Sequence, residues 1–231
     1  MTDNSSPAPT GPKLAVVLSH ATQYYSPWFR WMKSHAALNL RVFYLSDAGM
    51  KPALDEKFNT RFAWDTDLTS GYEWEIVPNR ARNPNVLRFS GLNNPELLPR
   101  ITAWAPEAVL VFGYNYNTHI KFILQAGAQH LPLIFRGDSH LLGRGRLSWF
   151  KRFLLRSLYG RFSAVTYVGR SNIEYFRQLG VPAEKLFFCP HAVDADHFSI
   201  TKTEYKEKAV ALRTKLGLRP ETRVVLFAGK L

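Results

Sequence analysis

Along the chain, short runs of apolar, β-branched and aromatic residues are followed at once by polar or glycine-containing turns, and then by segments of helical period. The runs are 14–18, 40–45, 73–77, 108–112, 133–135, 164–168 and 186–189. An uninterrupted run such as 14–18 suits a strand buried on both faces of a parallel sheet. Between the runs, Trp28, Phe29, Trp31, Met32 and Ala36 predict a helix, with Ser26 as cap and Pro27 at its first position. A second helix is predicted to be capped by Asn94 and to start at Pro95, with Pro99 distorting its first turns. A third carries His119, Ile120, Ile123 and Leu124. In a fourth, over 144–161, Leu147, Phe150, Leu154 and Leu158 form one stripe.

The stretch 162–198 shows the arrangement most fully, as strand, helix, strand and polar turn. Ser171 and Glu174 read as a capping box, while Ile173, Phe176 and Leu179 share a face. Gly180 with Pro182 supplies the stop. After Phe198, a helix with Tyr205, Ala209, Leu212 and Leu216 in register ends at Gly217 and Pro220, and 223–230 reads as a buried-type strand. The fold class predicted is α/β, a Rossmann-like mostly parallel sheet flanked by helices. Residues 47–72 are the least readable, and 78–94 reads as a long Arg/Asn/Pro loop.

In such a sheet the ligand crevice lies outside the carboxyl ends of the strands. That fold would gather His20, Gln23, Tyr114, Asn115, Arg136, Asp138, His140, Arg170 and His191 on one edge. A His or Asn just after a strand also serves as a turn former or helix cap, so part of this set is expected to be structural. Asp65-Thr66-Asp67 matches a metal-diphosphate triplet, but it ends no apolar strand and reads as a solvated loop. No metal site is expected.

The motifs YVGRSN at 167–172, GVPAEKL at 180–186, PHAVDADHF at 190–198 and VVLFAGKL at 224–231 resemble the join between the two domains of GT-B glycosyltransferases, in the large retaining family of the family 4 or group 1 type. There a small-residue-Val-Asp-x-x-x-Phe turn closes the first domain, and a strand ending in Gly-Arg-Leu or Gly-Lys-Leu opens the second. The likeness covers 14–231 in outline and is strongest over 165–231. It implies an acceptor-side domain at 13–200 and an interdomain segment with the first strand of a donor domain at 201–231, while the polar, Pro/Ser-rich composition of 1–12 predicts a disordered tail. The chain is expected to be a fragment that stops just inside that second domain.

The resemblance further implies transfer of a sugar from a nucleotide-sugar donor to a hydroxyl acceptor with retention, using no cofactor and no obligatory metal. The loop from His20 to Gln23 matches the family's first-strand turn, facing donor phosphate and acceptor. Asp138 matches the acidic half of a His-Asp pair, and Gly229 and Lys230 match the donor-diphosphate contact. The sequence departs from the family where Gly137 stands for the His of that pair, with His140 three residues on, and where His191 stands for an Asn. The family's donor-domain acidic pair would lie past Leu231, so this chain alone is expected to be inactive.

Composition narrows the alternatives. The 231 residues are 46% hydrophobic, enough for a substantial core. The single Cys189 excludes an internal disulfide framework, and the sequence opens on no charged-then-apolar leader, so a cytoplasmic setting is expected. Thirty basic against 18 acidic residues give a net charge of +12, which points to an anionic partner. Nucleic acid is disfavoured because no aromatic-basic RNP signature is present. A dinucleotide-binding oxidoreductase is disfavoured because Ser19-His20-Ala21-Thr22 offers no glycine after the first strand. Two readings of the basic segment 144–161 stand: a surface helix covering the sheet, or a face with Trp149 and Phe153 lying on an anionic membrane at its inner side. The second supports the rival function, a non-catalytic module for an anionic membrane or phosphorylated ligand.

Overall fold

A computed structural model describes residues 11–51, 53–55, 60–62, 64, 66–142, 147–195, 197–199 and 201–227. The chain divides into two compact units, 1–193 and 194–231. In the first, seven strands form one parallel sheet in the order β5-β2-β1-β6-β7-β8-β9. These are β1 (Lys13–Leu18), β2 (Asn39–Tyr44), β5 (Glu73–Ile76), β6 (Ala108–Phe112), β7 (Leu133–Arg136), β8 (Ala164–Tyr167) and β9 (Leu186–Phe188). A separate antiparallel pair, β3 (Ala53–Asp55) and β4 (Thr60–Phe62), lies within the unreadable stretch 47–72. The helices of this unit are α1 (Ser26–His35), α2 (Leu97–Trp104), α3 (Asn117–Ala128), α4 (Trp149–Tyr159) and α5 (Arg170–Gln178). The fold is therefore the α/β Rossmann-like architecture that the apolar runs predict.

Strand β1 pairs with both β2 and β6, so strand order reverses beside it, which makes β1/β6 the topological switch point. Side chains alternate between faces along each strand. Val16, Leu18, Val42, Tyr44, Leu110 and Phe112 bury against Phe29 and Met32 of α1 and against Leu68 and Tyr72. Ala15, Val17, Phe43, Val109, Val111, Leu133 and Phe135 bury on the other face, under α2 to α5. Phe135 is its aromatic centre, with Tyr159, Phe162 and Phe176 at ring distances of 5.1, 5.2 and 5.9 Å.

Several predicted helix starts are corrected. Ser26 is the first residue of α1 and caps nothing; its hydroxyl is buried and donates to the Leu68 carbonyl at 2.9 Å. Ser171 lies inside α5, whose cap position is Gly169, and Glu174 pairs with Arg177 at 3.2 Å, so the capping box does not form. Helix α2 begins at Leu97, not Pro95. Pro99 then falls in the first turn, where backbone N–H groups have no intrahelical partner to lose. Asn94 is no cap. Its buried amide donates to the Leu45 and Val77 carbonyls at 3.0 and 2.8 Å and accepts from the Thr118 hydroxyl at 2.9 Å.

Helix α4 is capped by Ser148, whose hydroxyl accepts from the Lys151 N–H. Its buried stripe is Leu155, Leu158 and Tyr159, whereas Phe150 and Leu154 of the predicted stripe are exposed. Tyr159 causes the difference. Its ring fits between Tyr114, Phe135 and Phe176, and that fixes the helix about one residue's rotation away from the aliphatic pattern. In the second unit, α6 (Thr203–Lys215) forms as predicted. Residues 222–227 form no strand, and Val225 is 98% exposed. Among the described residues none is laddered to this segment, and an apolar run becomes a strand only by pairing. Most of the tail predicted at 1–12, together with Asp65, 144–146, Gly229 and Lys230, lies outside the described residues.

Two stability outcomes follow. Asn94→Ala leaves two buried carbonyls and a hydroxyl without their partner, a loss of about 2–4 kcal/mol and a fall in Tm of roughly 4–10 °C by calorimetry. His119, buried in α3, has no hydrogen-bond partner for either ring nitrogen among the described residues, and burial pushes its pKa down to about 4. Because the folded-state value lies below the ordinary 6.5, the unfolded chain takes up the proton first. Stability is thus full above pH 6.5 and declines as the pH falls towards 4, by about 3 kcal/mol from this residue. In urea titrations at pH 7 and pH 4, the gap between wild type and His119→Leu should shift by that amount in the variant's favour; an unchanged gap refutes it.

Candidate active site

The parallel crossovers place the N-termini of α1, α3 and α5 at the carboxyl edge of the sheet. None has an acidic residue in its first turn, so their positive ends stay uncompensated and the edge favours anions. At this edge a cavity of about 410 Å³ is lined by Tyr24 and Tyr25 from the turn after β1, by Trp28 from the first turn of α1, by Arg136 and Asp138 from the end of β7, and by 190–193 after β9.

Arg136, the last residue of β7, is only 3% exposed. Its guanidinium donates to the carbonyls of Cys189 and Pro190, the latter at 3.2 Å, and lies 5.6 Å from the centre of the Trp28 ring. Trp28 is held in turn by Phe112 at the end of β6, their rings 6.0 Å apart and edge to face. Among the described residues no carboxylate forms an ion pair with Arg136. A buried cation held only by carbonyl dipoles and a ring face retains unsatisfied attraction for an anion. Asp138 is exposed on the same wall and is free to accept from a hydroxyl. Burial raises the Tyr25 pKa, opposed by the charge of Arg136 and reinforced by that of Asp138, so both act on this one cavity.

Of the residues singled out in the sequence, Arg136, Asp138 and His191 therefore line one cavity. Tyr114 and Asn115 line a second one, between α3 and α4. Tyr114 turns into the aromatic core, 6.0 Å from Phe135 by ring centres, and its hydroxyl meets that of Tyr175 at 3.3 Å. His20, Gln23, His140 and Arg170 line neither cavity. The Nδ1 of His20 bonds the Ser19 hydroxyl at 3.0 Å, and burial lowers its pKa. His140 Nδ1 accepts from the Leu142 N–H at 3.2 Å, which makes it a turn former here. Arg170 is exposed at the start of α5. Asp67 accepts from the N–H groups of Thr69 and Ser70, and those bonds lower its pKa to about 2, as befits a loop. Among the described residues no cluster could hold a metal ion.

Tyr24, Tyr25, Trp28 and Asn172 were not legible as site residues. The first three are aromatics clustered where the turn after the first strand enters α1, a usable signal. Asn172 carries none, yet it is buried and accepts from the Val168 N–H at 2.9 Å while donating to the Ser139 carbonyl at 2.7 Å. It thereby ties the loop bearing Asp138 to the start of α5.

No protein-family model and no curated protein sequence matches the chain. Among solved structures, it is similar in fold to Anabaena HepE in complex with UDP and glucose, with a TM-score of 0.53, 16% identity, and 89% of this chain and 50% of HepE covered. It is also similar to UDP-GlcNAc 2-epimerase from Neisseria meningitidis bound to UDP-GlcNAc, with a TM-score of 0.54, 14% identity, and 89% and 54% of the two chains covered. The chain spans about half the length of each of these two proteins, and what it shares with them is the arrangement of strands and helices.

Proposed function

We propose that this chain is the acceptor-side half of a GT-B glycosyltransferase, which moves a sugar from a nucleotide-sugar donor to a hydroxyl with retention at the anomeric carbon. The observation that carries the proposal is the buried Arg136, which makes no ion pair among the described residues and faces a cavity shared with Asp138 and His191 at the carboxyl edge of the sheet. The likeness to folds that hold UDP and UDP-sugars in the same architecture supports it. In this reading Asp138 orients the acceptor hydroxyl and takes its hydrogen bond. The hydroxyl oxygen then forms the new bond to the anomeric carbon on the face from which the phosphate oxygen departs, its proton passes to the Asp138 carboxylate, and the electron pair of the broken bond leaves with the nucleoside diphosphate. Arg136 and the helix N-termini supply positive charge without a metal or cofactor, and His191 closes the rim. From the resemblance, Gly229 and Lys230 are assigned to the donor diphosphate, and His20, Gln23 and Arg170 to substrate binding; His140, expected to be catalytic beside Asp138, bonds instead to the Leu142 N–H.

No helix among the described residues is long and apolar enough to cross a membrane. The exposed face of α4 carries Trp149, Phe150 and Phe153 beside Lys151, Arg152 and Arg156, and we assign it to peripheral contact with anionic lipid on the cytoplasmic side. The rival, a non-catalytic basic module, rests on this same face.

Incubating the protein from its source cells with labelled UDP-glucose and UDP-GlcNAc, in the presence of a source-cell extract, should move label into an acceptor fraction. Asp138→Asn should lower kcat at least ~100-fold with KM for the sugar nucleotide nearly unchanged. Absence of transfer, with salt-dependent vesicle binding intact, would favour the rival. Arg136→Met should weaken UDP binding at least tenfold, and Trp28→Phe should remove most of the fluorescence change on binding; UDP affinity indifferent to Arg136 would remove the basis of the proposal.

A further inference from the structure

The second cavity, about 600 Å³, is an open groove between α3 and α4. Its walls are apolar: Phe89, Ile120, Leu124, Phe153, Leu154 and Leu158. One end reaches Tyr114 and Asn115, which follow β6 at the same sheet edge as the Arg136 cavity. Along the other wall run Phe153 and Leu154, 65% and 50% exposed, which continue into the aromatic face of α4. Leu124 opposite is 44% exposed. The volume lies within the range of sites that enclose small ligands.

Charge selects the occupant. Lys151 and Arg161 line this apolar groove, and Arg152 and Arg156 flank it on α4, which contains no acidic residue. Among the described residues none of the four has an ion-pair partner. An apolar trough with unpaired cations at its rim suits a molecule that is both aliphatic and anionic. We propose that this groove binds the hydrocarbon chain of a phosphorylated amphiphile, with its phosphate on Lys151 in the first turn of α4. The phosphate end then faces the carboxyl edge of the sheet, where Asp138 stands. This rests on the acceptor-side reading above, because it makes the acceptor lipid-linked; the binding itself needs no sugar nucleotide.

The test is calorimetric titration of the protein with decyl phosphate below its micelle concentration, alongside decanol and inorganic phosphate. One decyl phosphate should bind per chain, at least tenfold tighter than decanol, and inorganic phosphate should not bind measurably. Leu124→Arg and Leu154→Arg, both at exposed positions, should each weaken binding at least tenfold, and Lys151→Glu should do so while bringing the affinity to that of decanol. Saturable binding that ignores Leu124→Arg and Leu154→Arg overturns the proposal. So does binding only to anionic phospholipid vesicles, lost on changing Arg152 and Arg156 to Glu, since that outcome assigns the charge to the helix surface alone. If decyl phosphate binds as expected but no sugar is transferred, the groove stands and the glycosyltransferase reading falls. Transfer to a water-soluble acceptor with no decyl phosphate binding gives the reverse.

Discussion

A parallel ladder can be continued only if the chain returns to the same end of the sheet after every strand, and this constraint arranges everything else in the first unit. Each return requires a crossover, which is a helix lying on one face or the other everywhere except between β2 and β5, where the described residues form the pair β3–β4. Strands β1 and β6 are thereby buried on both sides, so their backbone hydrogen bonds form away from water and their sequences are almost purely apolar. Chemistry-bearing residues collect at the last position of a strand, as Arg136 does in β7, or after it, at the edge where the helix N-termini also point. The positive field there, and the placement of Arg136, Asp138 and His191 together, are consequences of connectivity rather than of any local motif.

That origin explains which parts were legible. The centres of β1, β6, β7 and β8 could be read directly, because burial on two faces leaves no other residue type acceptable. Helix starts could not. Ser26, Asn94 and Ser171 all look like caps, but two of them have hydrogen-bonding partners distant in sequence: Leu68 for Ser26, and Leu45, Val77 and Thr118 for Asn94. A sequence window cannot see these partners. The register of α4 failed for a related reason, since one aromatic ring fitted into a cluster outweighs an aliphatic stripe of ordinary spacing. The segment 222–227 has strand composition without a ladder, which shows that β-propensity reports fitness for a pleated surface and does not create one.

The same limit applies within the site. Three of the nine edge residues chosen from the sequence share the Arg136 cavity, and two more line the groove. His140 instead bonds back to the Leu142 N–H, as polar residues after strands often do. Gly137 gains a physical reason. A Cβ there would come within 2.8 Å of the Phe135 ring, which is buried among Tyr159, Phe162 and Phe176 and has nowhere to move. A histidine at this position would need a different aromatic core, so Gly137 and the packing of β7 are one and the same feature.

Adjacent residues of β7 connect the two cavities. Period-two alternation points Phe135 into the α4 and α5 face, where it supports Tyr114 and Tyr159 behind the groove, and points Arg136 to the α1 face, against Trp28. A molecule long enough to lie in the groove and reach over the edge would pass from one face of the sheet to the other across this strand end. Phe135 packs edge to face on Tyr159 and tilted on Tyr114, and such close packing of buried rings does not deform gradually. The spacing between an apolar anchor in the groove and a hydroxyl at Asp138 is therefore set by the sheet itself. Selection among acceptors of different length would follow from that fixed distance and not from a mobile loop.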